Sequence, residues 1–102
     1  MIGRQQSGVF LSYARSDGEQ FTERLREKLR SLAPDINVKQ DRLLLEGGVG
    51  WWNQLTAAID SVDFLVLVIT PSALRSKTVR KEWQYARQQG VCVYPVKGAF
   101  RP

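Results

Sequence analysis

The sequence predicts an α/β domain: a parallel sheet of strand order 2-1-3-4 with helices on both faces, a flavodoxin-like arrangement. Three observations predict it. Short apolar runs alternate with stretches of helical periodicity in the order β-α-β-α-β-α-β, which is the pattern of βαβ units joined by right-handed crossovers. The run Phe64-Leu65-Val66-Leu67-Val68-Ile69 is unbroken and rich in β-branched residues, so it reads as a strand buried on both faces, central in the sheet. The stretch Asp35-Ile36-Asn37-Val38-Lys39-Gln40 instead alternates apolar and polar, which suits an edge.

In chain order, residues 1–7 form a short polar lead and residues 8–102 one domain. Val9-Phe10-Leu11 is the first strand. Ser16-Asp17-Gly18-Glu19 has the form of a capping box and is expected to open the first helix. Phe21, Leu25, Leu29 and Leu32 then make its apolar stripe, and Pro34 ends it. After the edge strand, Asp41 to Gly50 is a loop with three leucines and three glycines. Trp51, Trp52, Leu55, Ile59 and Val62 follow helical spacing. Pro71 stops the central strand. A polar segment precedes a third helix with Val79, Trp83 and Ala86 on one side, Glu82 in its first turn, and Gly90 as its stop. Val91 to Val96 is the fourth strand. Pro95 places it at an edge. The closing strand and helix that a full domain of this type carries are missing from this pattern, so the chain reads as C-terminally truncated.

Composition excludes several chemistries. There is no histidine, so His-based acid–base catalysis and His-ligated metals are out. The single cysteine, Cys92, cannot make an internal disulfide or a multi-thiolate metal site. Lying in an apolar run, it is expected to be packed inside. No metal site is expected. No stretch has the length and apolar character of a signal peptide or membrane span, which makes the cytoplasm the simplest location. The net charge of +5 has one local concentration, at Arg75, Lys77, Arg80 and Lys81. That cluster reads either as a solvated helix face or as an attractor for an anionic ligand such as a nucleotide. Charge alone does not make a nucleic-acid interface, and no groove-reading signature accompanies it, so a nucleic-acid partner is not expected. Gly47-Gly48-Val49-Gly50 lacks the spacing of a dinucleotide fingerprint, and no phosphate loop exists. Ser12-Tyr13-Ala14-Arg15 and Thr70-Pro71 stand where a phospho-accepting receiver domain needs acidic residues.

Taken together, these segments resemble a TIR (Toll/interleukin-1 receptor) domain, closest to bacterial members. Val9 to Asp17 is similar to the family's opening box. Asp41 through Leu45-Glu46-Gly47-Gly48 to Trp51 is similar to its BB loop. Phe64 to Pro71, followed by Ser72 to Ser76 and Val79 to Trp83, is similar to its third strand and following helix. The resemblance implies one of two functions. One is an NAD+ glycohydrolase, active on self-assembly in bacterial defence or virulence signalling, with NAD+ as substrate and no permanently bound cofactor. The other is a non-catalytic scaffold for homotypic contact in signal transduction. Either implies other TIR domains as partners, through the Asp41–Gly50 loop and the edge of the fourth strand.

For the enzyme, the resemblance puts the catalytic carboxylate at Glu82, within Val79-Arg80-Lys81-Glu82. It puts substrate-binding groups at Tyr13, Arg15, Trp51, Trp52 and Arg80. These residue types suit the chemistry. Loss of nicotinamide leaves an oxocarbenium-like ribosyl centre that a carboxylate can stabilise. Aromatic rings offer stacking surfaces, and arginine can face a pyrophosphate. The plainer reading of Glu82 is a carboxylate favoured by the helix dipole. For one of the two tryptophans it is core packing, and for Arg15 a solvated loop charge. Thr78 stands where the family's enzymes often carry tryptophan, and Ala14 where a second basic residue is common.

Overall fold

The computed structural model describes residues 8–40 and 51–98, with the side chain of Trp51 outside the description. The elements are β1 (Gly8–Ser12), α1 (Arg15–Leu32), β2 (Asn37–Gln40), α2 (Trp51–Asp60), β3 (Phe64–Ile69), α3 (Pro71–Arg75), α4 (Lys77–Gln88) and β4 (Cys92–Lys97). The four strands form one parallel sheet in the order β2-β1-β3-β4, as the sequence predicts. The residue-by-residue alternation of the strands sorts the core into two layers. Phe10 and Leu65 face α2 and α4, where Leu55, Ala58, Ile59, Val62 and Ala86 close around them. Val9, Leu11 and Val38 face α1, whose Leu25 and Leu29 pack over them. Each fully buried large side chain of this kind contributes about 1.5–3 kcal/mol.

Several local expectations are corrected. The Ser16–Glu19 capping box does not form. The helix starts two residues earlier, with Ala14 rather than Ser16 as N-cap and no side-chain cap bond. The box's acidic member, Glu19, instead accepts from the Tyr13 hydroxyl. Leu32 is not part of the packed stripe: it is 73% exposed, like the exposed residues around it at the end of α1. The segment after β3 is two helices rather than one. Thr70 caps α3 by accepting from Ala73 N, with Pro71 in the first turn, and Ser76 caps α4 by accepting from Val79 N. Glu82 therefore lies in the second turn of α4, too far in for the helix dipole to be its main influence. β3 is central, but only Leu65 and Val68 are fully buried, while Phe64, Val66, Leu67 and Ile69 are half-buried. Cys92 is exposed, not packed inside. It sits on the edge strand, in register with Phe64, on the sheet face that α1 covers only toward β1. The same open face leaves Tyr94 53% exposed, with its ring 5.4 Å from that of Phe64. Gly90 ends α4 in the left-handed region (φ 80°), the conformation that favours glycine there.

Candidate active site at the carboxyl edge of the sheet

β1 and β3 are adjacent parallel strands, so both deliver their exits to the same edge of the sheet. In such sheets that edge is where ligands bind. Here it is built from buried polar side chains. Ser12, the last residue of β1, donates its hydroxyl to Glu82 Oε1 over 2.6 Å, and both residues are fully buried. Glu82 is held between Val79 and Ala86, which face the core on the same side of α4. Burying a carboxylate is costly unless it is hydrogen-bonded, so this contact is an energetic requirement as well as a geometric one.

The next residue along the chain points to the opposite face. Tyr13 is buried under α1, and its hydroxyl lies 3.0 Å from Gln40 Nε2, which donates to it, and 3.4 Å from Glu19 Oε1, to which it donates. A third cluster ties α1 to the exit of β3. Thr70 donates to Asp17 Oδ1 over 2.6 Å, and Ser72 N donates to Asp17 Oδ2 over 3.0 Å. Burial alone would raise the Asp17 carboxyl. The bonds from Thr70 and Ser72, together with the nearby Arg75 charge, outweigh that and hold it below its ordinary value of 3.8.

Three surface cavities flank this edge. The smallest, of about 170 Å³, is lined by Leu67, Ile69, Ala73, Leu74, Arg80 and Trp83. One of about 350 Å³ lies over the start of α1, with Arg15 and Arg24 among its lining residues. One of about 470 Å³ lies at the exit of β3, between Thr70, Pro71, Leu74 and Lys97.

A sequence model of the family described as "TIR domain" matches residues 9–99. The chain belongs to the TIR domain family. A search of curated proteins returns no match. Among solved structures, this TIR domain is similar to a chain described as "Structure of the activated Roq1 resistosome directly recognizing the pathogen effector XopQ (TIR domains)". The TM-score is 0.73 at 24% identity, over 89% of this chain and 57% of that one. At that identity the likeness is one of fold. This TIR domain spans little more than half the length of the chain it matches.

The residues singled out from the sequence are spread around the sheet edge rather than gathered at one point. Glu82 is buried against Ser12. Tyr13 is buried on the α1 face, and Arg15 is the exposed first residue of α1. Arg80 is exposed on α4 beside the smallest cavity. Trp52 is half-buried against the α2–α4 core, edge-on to Tyr85 at 6.0 Å, with Lys81 Nζ 5.9 Å from its ring. The side chain of Trp51 and the Asp41–Gly50 loop lie outside the described residues. Ser12, Asp17, Gln40 and Thr70 were not singled out, though each stands at an end of an apolar run or at a helix start. Small polar residues there carry a sequence signal for position, but none for the long-range bond each makes. No helix among the described residues is long and apolar enough to cross a membrane, and the same residues hold no cluster of metal-ligating side chains.

Proposed function

We propose that this TIR domain hydrolyses NAD+ at the nicotinamide–ribose bond once copies of it assemble. The observation that carries the reading is the position of Glu82: a carboxylate in the helix after the central strand, at the ligand-binding edge, hydrogen-bonded to the exit of the neighbouring strand. In the reaction the bond from the ribosyl carbon to the nicotinamide nitrogen breaks, and its electron pair leaves with neutral nicotinamide. Water then adds to the ribosyl carbon and loses a proton, giving ADP-ribose. Glu82 stabilises the positive charge that develops on the sugar. Arg15 and Arg80 supply cationic groups for the pyrophosphate, and Trp52 an aromatic surface at the same end. Glu82 is 0% exposed, so a sugar reaches it only after neighbouring groups move. That requirement fits a site completed by assembly, and with it a role in signalling.

Nicotinamide release, measured across a range of protein concentration, tests this. The rate is expected to rise faster than linearly with concentration. It should fall by about two to three orders of magnitude in Glu82→Gln, which keeps the side chain's size. Equal rates in the two proteins would refute the reading.

A specific observation favours the scaffold as a second reading. The open face of β3 and β4, with Tyr94, Phe64 and Val66, offers apolar surface to another copy. Pro95 in the middle of β4 has no N–H, so a strand docking on this edge would meet an interrupted ladder. Contact across the face is therefore favoured over edge pairing. Tyr94→Lys is expected to shift sedimentation toward the monomer if this face is used.

A further inference from the structure

Building on the reading of Glu82 as the carboxylate that meets the ribosyl centre, we propose that Ser12 is the residue that positions it. The last torsion of a glutamate is broad, so rotamer preference does not orient the carboxylate by itself. A short bond from a fixed donor does. Ser12 is such a donor. It closes β1, which is flanked on both sides by paired strands, and it stands in register with Leu67 of β3. Its hydroxyl reaches Glu82 Oε1 at 2.6 Å across 70 positions of sequence, between two fully buried residues. Donor and acceptor thus sit on a central strand and a core-packed helix, the elements that hold side chains most tightly.

The chemistry makes that precision matter. Glu82 acts on charge that exists only as the nicotinamide bond breaks, and a misplacement of about 1 Å costs about a hundredfold in rate. Ser12 touches neither sugar nor base. Its effect passes through Glu82, which makes it a positioning residue. A bond serving the fold alone would satisfy two buried polar groups and leave turnover per folded molecule unchanged.

The experiment measures nicotinamide release by the whole 102-residue chain in wild type, Ser12→Ala and Ser12→Cys. Urea unfolding of each protein gives the folded fraction. Per folded molecule, kcat in Ser12→Ala is expected to fall about tenfold to a hundredfold, with KM for NAD+ within about twofold of wild type. Ser12→Cys keeps a weaker donor of similar size and is expected to fall between the two. If Ser12→Ala does not fold, the cysteine variant decides alone: wild-type kcat overturns the proposal, and a reduced kcat at unchanged KM supports it. An active wild type with kcat unchanged in Ser12→Ala overturns the positioning role and leaves Glu82 standing. A wild type that releases no nicotinamide at any concentration overturns the enzymatic reading and the positioning role together.

Discussion

Asp17 is the residue whose removal tests most directly how the sheet edge is held. Its carboxylate accepts from Thr70 Oγ1 and Ser72 N, and so ties the first turn of α1 to the start of α3. Hydrogen bonds to a charged group are worth about 1.5–3 kcal/mol each. The carboxylate is only half-buried, so solvent screening reduces the pair to about 2–3 kcal/mol in Asp17→Ala. Part of that loss comes from Thr70, which is 1% exposed and would keep a buried hydroxyl without its acceptor. For a domain of about 100 residues each kcal/mol moves Tm by about 4–8 °C, so a drop of about 8–24 °C is expected. The pH dependence gives a second check. The folded carboxyl is held below 3.8, its ordinary value. Its stabilising contribution is therefore complete above that value, and is lost as pH falls past it and through the lower folded value. The stability gap between wild type and Asp17→Asn, measured by urea unfolding, should be largest near neutral pH and shrink below about pH 4. A gap under about 0.5 kcal/mol at neutral pH, or one that grows on acidification, would refute the assignment.

Three further outcomes are expected. A Cβ at Gly98 would lie 2.8 Å from Thr70 Cγ2, 3.1 Å from Val68 Cγ1 and 3.2 Å from the Ile69 carbonyl oxygen. Gly98→Ala should therefore destabilise by about 1–3 kcal/mol in urea unfolding. Burial and the bond to Asp60 raise the Tyr85 phenol above 10.0. That stabilising contribution is present below the ordinary value and lost as pH rises through the higher folded one. In the ultraviolet titration of the phenols, Asp60→Asn should advance one tyrosine toward its ordinary value. Native Cys92, being exposed, should react with a thiol reagent within about tenfold of the rate in urea, whereas a packed thiol would be protected by many orders of magnitude.

The parts legible in the sequence were those where a pattern has one structural meaning. The unbroken Phe64–Ile69 run means a central strand and the Asn37–Gln40 alternation an edge, and with the short apolar first strand they fit the observed order. Other features failed because local chemistry has competing uses. Ser16-Asp17-Gly18-Glu19 satisfies the capping pattern, but the helix begins before Ser16 and Glu19 accepts from the Tyr13 hydroxyl instead. Cys92 lies in an apolar run, yet apolarity does not say whether another layer covers that stretch of the sheet. The place of Glu82, on the helix after the central strand, was visible in the sequence. Ser12 was not, because nothing in a strand-terminal serine points to a carboxylate 70 positions away.

The two faces of β1 tie its exit to elements on both sides of the sheet. Ser12 and Tyr13 are consecutive, and strand geometry sends them to opposite layers. One reaches α4 through Glu82, and the other reaches β2 through Gln40 and α1 through Glu19. The exit of β1 is thereby clamped by both layers at once. A backbone shift at one of these residues must move the other, so Tyr13 is coupled to Glu82 through Ser12. Under the enzymatic reading, loss of the Tyr13 hydroxyl lowers activity by loosening Ser12, even if the ring never meets substrate. Tyr13→Phe keeps the ring and removes the bond from Gln40. It should reduce kcat less than Ser12→Ala does, and in the double variant the two effects should fall short of additivity, since both act through the same carboxylate. Full additivity would mean that Tyr13 acts independently of Glu82.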